Sequence, residues 1–200
     1  PYTTLFRSSY IETAPCDNGK VEVPVSGKSG TIIPVTVTPD AHYHIKSVSV
    51  NGAPLEIDEN GSGSFTMPKG NVKVSAEFEI DTVKLSWISR DYVYDYEKDE
   101  YTDQLEDTVE YIEEIPYGYK GELPEAGEFS ALYGKCGLKA WEVKVGDSAA
   151  KEMQPGDEVV ADADTSLTAI WLEHDFTCSV SEDGATITAK CSAGDHCSLT

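Results

Sequence analysis

Between Gly19 and Ile80, apolar and polar residues alternate in short runs, and that alternation restricts the chain to strands. Val21, Val23 and Val25 form one run, and Thr31 to Thr38 a second. Ile45, Val48 and Val50 form a third, and Val72, Val74, Ala76 and Phe78 a fourth. Successive side chains of a strand point to opposite faces, so period-two placement of β-branched residues marks half-buried strands. Asn51-Gly52 and the Glu59-Asn60-Gly61-Ser62-Gly63 run supply the positive-φ positions that tight turns need. Pro24 and Pro34 lack an N–H, which places their strands at an edge or beside a bulge. No stretch here has helical spacing, and a small antiparallel β domain is expected.

Charge narrows what such a chain can meet. The 200 residues carry 36 acidic and 15 basic side chains, a net charge of −21. Nucleic acids and anionic membrane surfaces require Lys and Arg, and this chain would repel both. No apolar run approaches the ~18–20 residues that span a bilayer, and a hydrophobic content of 40% suffices for folded domains. The octapeptide Pro1 to Ser8 resembles a translated sequencing adapter, so it is set outside the fold. The chain is read as an open fragment that stops inside a Cys-rich stretch.

The order of motifs is more specific than the composition. Thr36-Val37-Thr38-Pro39-Asp40 is followed by Ser47-Val48-Ser49-Val50-Asn51-Gly52, Phe65-Thr66-Met67-Pro68 and Asn71-Val72-Lys73-Val74. This series resembles the divergent internalin B-repeat, a module strung in tandem along bacterial surface proteins. In physical terms, Met67 closes the end of the core, Pro68 forces a turn, and the last strand points Val72, Val74, Ala76 and Phe78 inward. A second series contains Val83, Leu85 and Trp87, then Gly137-Leu138-Lys139-Ala140-Trp141, Gln154-Pro155-Gly156-Asp157 and Leu167-Thr168-Ala169-Ile170-Trp171. It resembles the standard internalin B-repeat, which implies a β-grasp-like unit. Ala140 stands where that family has Gly, an aromatic is missing near Leu138, and the segment 91–135 is longer than the family's connection.

The expected fold class is therefore mostly β: tandem small β-rich domains, β-grasp-like repeats, with at most a short helix at Glu125 to Tyr133. The domains expected are 9–80, 81–172 and the start of a third at 173–200. In that third piece Asp183-Gly184 is a hairpin turn that sets Val180 opposite Ile187 and Cys178 opposite Ala189.

Candidates for chemistry are few. Cys16, Cys136, Cys178, Cys191 and Cys197 lack the two-residue spacing of a zinc knuckle. Cys178 and Cys191 sit diagonally at ~7–8 Å, so Cys191 with Cys197 is the favoured disulfide over a zinc reading that enlists His174 and His196. His42 and His44, at i and i+2, would share a strand face and could join a metal site given a third ligand. Between Asp91 and Glu114 stand eleven acids against Lys98 alone. Asp95, Glu97, Asp99, Asp103 and Glu106 match calcium-loop spacing, yet Glu100 replaces the glycine of the sharp turn. Looser surface binding of calcium is the remaining ion reading, and a solvated, self-repelling loop or hairpin is the leading one. Contiguous wet acids do not make a glycosidase pair.

Seven of the eleven tyrosines lie between Asp91 and Tyr119. Tyr92, Tyr94 and Tyr96 would share one strand face, either covering a core or contacting a protein or sugar. The resemblance implies non-catalytic repeats of a cell-surface or secreted protein, serving as a stalk or adhesin spacer. The partner would be a protein or glycan of a host or neighbouring cell. The alternative is a ligand-binding accessory region of an extracellular enzyme.

Overall fold

The structure is a computed structural model, and it describes residues 8–125, 137–172, 176–182 and 185–191. The chain divides into two compact units, Pro1–Asp81 and Thr82–Thr200.

The first unit contains β1 (Ser8–Thr13), β2 (Gly19–Glu22), β3 (Ser26–Lys28), β4 (Ile32–Pro39), β5 (Tyr43–Val50), β6 (Ala53–Pro54), β7 (Ser62–Thr66) and β8 (Val72–Ile80). One sheet runs β3-β1-β8-β5-β6, and a smaller one runs β2-β4-β7. The core between them holds Ile11, Ile33, Val35, Val37, Val48, Met67, Val72, Val74 and Ala76. Burying each branched aliphatic contributes about 1.5–3 kcal/mol. Met67 is 1% exposed, with its backbone pinned by Met67 N–H to Thr31 O at 2.8 Å and Gly30 N–H to Met67 O at 2.8 Å. It closes the core as its motif suggested. Asn51 and Gly52 have φ of 51° and 82°, the positive pair a tight hairpin needs.

Two expectations are corrected. The unit is mixed rather than antiparallel, because β1 pairs with β8 in parallel, Ile11 opposite Val72 and Thr13 opposite Val74. The run Val21 to Val25 is also no single strand: Pro24 cannot donate to a ladder, and the chain leaves β2 at Glu22 to begin β3 at Ser26. Pro34 does lie in β4, where it pairs with Ser64 of β7; β2 pairs only with Thr36 to Pro39, so the missing N–H costs no ladder bond.

The second unit contains β9 (Thr82–Asp95), β10 (Glu100–Pro116), β11 (Tyr119–Glu122), β12 (Leu138–Val145), β13 (Lys151–Met153), β14 (Glu158–Ala161) and β15 (Thr165–Trp171). Its main sheet runs β10-β9-β15-β12-β13, with β11-β14 as the small sheet. The topology repeats that of the first unit: β9 and β15, like β1 and β8, are parallel neighbours at the centre, and each is flanked by an antiparallel strand. This arrangement is that of a β-grasp sheet. Trp141 (1% exposed) anchors a core with Leu85, Leu123, Val143, Leu167 and Ala169. Its indole N–H donates to Pro124 O at 2.9 Å, and its ring meets Trp87 edge-on at 5.6 Å.

Finally, β16 (Phe176–Val180) and β17 (Ile187–Cys191) pair in the expected register, Val180 opposite Ile187 and Cys178 opposite Ala189. The expected helix between Glu125 and Tyr133 and the Asp183-Gly184 turn fall outside the described residues. No helix occurs among the described residues.

Gly61 is the least replaceable turn position. It has φ +76°, and a Cβ there would lie 2.1 Å from Val37 O, while Gly52 at φ +82° has open space. Gly52→Ala is expected to cost about 1 kcal/mol for backbone strain alone. Gly61→Ala should cost about 2–3 kcal/mol more, since the Val37 carbonyl of the core strand must move. Urea midpoints of the two variants check this; equal losses would show that the close approach is relieved without cost.

Candidate interaction surface on the long hairpin

β9 and β10 form a 14- and 17-residue pair, much longer than the β1–β3 pair it corresponds to, where β3 has 3 residues. The three extra residues of β10 are absorbed in two irregularities, between Tyr101 and Leu105 and between Val109 and Tyr111. At the first, Thr102 Oγ1 donates to Val93 O at 2.9 Å and accepts from Gln104 N–H at 3.2 Å. At the second, Ser89 Oγ, 3% exposed, donates to Glu110 Oε1 at 2.5 Å. Polar side chains thus replace the ladder bonds that bulges remove.

The register divides the hairpin into two faces. Val83, Leu85, Trp87 and Ile115 pack on the core; Glu113 and Tyr111 lie opposite Leu85 and Trp87, with Tyr111 59% exposed, and Trp87 Nε1–H reaches Glu113 Oε1 at 3.2 Å. On the outer face Ile112 lies opposite Ser86, Val109 opposite Ile88, Asp107 opposite Arg90 and Leu105 opposite Tyr92. Ile112, Val109, Leu105 and Tyr92 are 51%, 52%, 55% and 48% exposed.

Arg90 ties this face together. Its Nε–H donates to Asp107 Oδ1 at 2.6 Å and its Nη2–H to Asp107 Oδ2 at 2.9 Å, a bidentate pair. The same Nη2 reaches Glu142 Oε1 at 2.9 Å on β12, across the intervening β15. The Asp107 hydrogen bond, followed by that of Glu142, raises the guanidinium pKa; in return Arg90 holds the Asp107 carboxyl below its ordinary value.

The acids singled out by calcium spacing are spread along the hairpin. Asp95 ends β9, Glu97 and Asp99 lie in the turn, and Asp103 and Glu106 lie on β10. Asp95 Oδ1 accepts from the N–H groups of Glu97 and Lys98 at 3.0 and 3.2 Å, and its Oδ2 pairs with Lys98 Nζ at 3.0 Å. These contacts, Lys98 first, lower its pKa. Asp99, at φ +56°, accepts from the Tyr94 hydroxyl. Among the described residues no three His, Cys, Asp or Glu side chains are grouped to hold a metal ion.

Tyr96 lies beyond the strand, 89% exposed, and its ring meets Tyr94 edge-on at 5.0 Å; Tyr92 keeps the outer face with Leu105. His42 precedes β5 at φ +66°, so it does not share a strand face with His44. His44 Nδ1 bonds Asp81 Oδ1 at 2.9 Å, and its Nε2 is 3.9 Å from Glu79. Cys16 is half-buried and Cys178 exposed, and Cys191 is buried opposite Phe176. Cys136, Cys197, and with Cys197 the expected disulfide to Cys191, fall outside the described residues, as do His174 and His196.

Sequence reasoning passed over Arg90, although it is the sole base between Lys84 and Lys98 and stands at the head of the acidic run. Asp107 has a depressed folded-state pKa, so its pairing contributes stability above the unfolded carboxylate range and loses it as pH falls through the folded value. Arg90→Ala should cost about 1–2 kcal/mol near neutrality, discounted for partial exposure. The deficit should shrink below about pH 4. Urea unfolding of both proteins at neutral and acid pH checks this; a deficit unchanged with pH would assign the loss to packing.

Residues 10–82 match the family model of the divergent InlB B-repeat domain. No curated protein and no solved structure gives a significant match. The matched span begins in β1 and ends at Thr82, one residue past the first unit, and includes the Phe65-Thr66-Met67-Pro68 motif and the strand that follows it. The first unit of this chain is therefore a divergent InlB B-repeat domain, a repeat of a kind typical of bacterial surface proteins.

Proposed function

We propose that this chain is a pair of non-catalytic repeat modules from a bacterial cell-surface or secreted protein, acting as a spacer that also presents an interaction surface. The carrying observation is repetition: the second unit has the strand order of the first, position for position in its main sheet. On this reading the second unit is a standard internalin B-repeat whose first hairpin has been lengthened. β8 ends at Ile80 and β9 begins at Thr82, so the chain passes from the last strand of one module into the first of the next through Asp81 alone. Repeat arrays are built by such direct succession of small supersecondary units.

The acidic surface fits a solvated exterior role, because a net charge of −21 opposes self-association. The shifted titrations of Arg90, Asp95 and Asp107 each have a hydrogen-bonded ion pair as their largest cause. That pattern favours structural ion pairs over an acid–base pair tuned by burial.

Antibodies raised against the whole chain should label intact cells that carry the gene, and external protease should remove the label. Labelling only after the envelope is permeabilised would overturn the surface assignment.

A further inference from the structure

We propose that the free edge of β10 takes up an extended, cationic polypeptide segment as an added strand. This does not depend on the spacer reading. Sheet edges expose unpaired N–H and C=O groups, and proteins commonly keep them short. Three of the four main-sheet edges here are short: β3 has 3 residues, β6 has 2 and β13 has 3. β10 has 17, and among the described residues no strand pairs with its second edge.

The side chains beside that edge separate this surface from its counterpart in the first unit. There the edge pair is β3 with β1, whose partners are Ser8 with Lys28, Ser9 with Gly27 and Tyr10 with Ser26, and no aliphatic row lies along the edge strand. On the hairpin the outer face carries Ile112, Val109 and Leu105, each about half exposed and in register along one strand. Because the two units share one topology, the difference belongs to this hairpin and not to the fold. An added strand would cover these aliphatic groups with its own alternate side chains while its backbone completes the ladder.

Charge selects the occupant. β10 carries Asp103, Glu106, Asp107, Glu110, Glu113 and Glu114; Arg90 neutralises Asp107, while Glu110 and Glu113 accept hydrogen bonds from the uncharged Ser89 and Trp87 and keep their charge without a cation. A second copy of a chain of net charge −21 would be repelled at this edge. A segment alternating Lys or Arg with Val or Ile would meet both the acids and the aliphatic row.

The test uses the complete 200-residue chain and a fluorescent alternating Lys–Val peptide, read by anisotropy. Binding is expected to weaken with salt and to exceed that of a peptide of equal composition with its lysines in one block. N-methylation on one backbone edge of the peptide should abolish binding, and on the opposite edge spare it. Val109→Ser combined with Ile112→Ser should weaken binding at least about ten-fold, at unchanged circular dichroism. Equal binding of the blocked and alternating peptides, or indifference to N-methylation, would reduce the effect to bulk charge and overturn the proposal. No binding would also overturn it. So would a dimer, or a glycan complex, that the double substitution abolishes, since each assigns the face to another occupant.

Discussion

In each unit the order of the main sheet rests on one contact, the parallel pairing of that sheet's first strand in sequence with its last. β1 lies against β8 and β9 against β15, and the remaining strands of each main sheet attach to this central pair. Both central strands must bury one face. β8 supplies Val72, Val74 and Ala76, and β15 supplies Leu167 and Ala169. A one-residue slip would turn these residues to solvent, so the hydrophobic pattern fixes the register of the whole sheet. Gly61 against the Val37 carbonyl then follows as a close approach that only glycine admits, and at Gly19 a Cβ would push on the Phe78 ring at 2.4 Å.

The same frame carries two different surfaces. The first unit balances its outer face with Ser49–Ser75 and the Lys46–Glu79 ion pair. In the second, the hairpin combines half-exposed aliphatic groups with acids, and Arg90 joins β10, β9 and β12 through two carboxylates. Such a guanidinium bridge holds three strands with a single side chain. It also leaves the acids on the far edge of β10 without that internal counterion.

Local features were legible from the residues alone. Asn51-Gly52 foretold its hairpin, the spacing around Asp183-Gly184 gave the β16–β17 register, and the Phe65-Thr66-Met67-Pro68 motif placed Met67 at the core. What escaped was non-local. β1 contributes one buried residue, Ile11, too few to show a period, and its partner Val72 stands ~60 residues away. The length of β10 was hidden because its two irregularities break the alternation that identifies strands. The acid spacing matched a calcium loop in one dimension only; along the hairpin the same residues fall at the end of β9, in the turn and down β10. Arg90 offered only its solitary charge as a signal, and its meaning depended on Glu142 lying two strands away.

The placement of the closing strand has a temporal consequence. A chain emerging from a ribosome, or threading through a membrane pore, delivers β1 first and β8 last, with the rest of the module between them. Until β8 arrives, the inner faces of β1 and β5 have no central neighbour, so the module cannot close its core piecemeal. Each module therefore stays open and threadable until its final strand is out, then closes as a unit. In a series of such modules, folding would advance in steps of one repeat behind the point of exit.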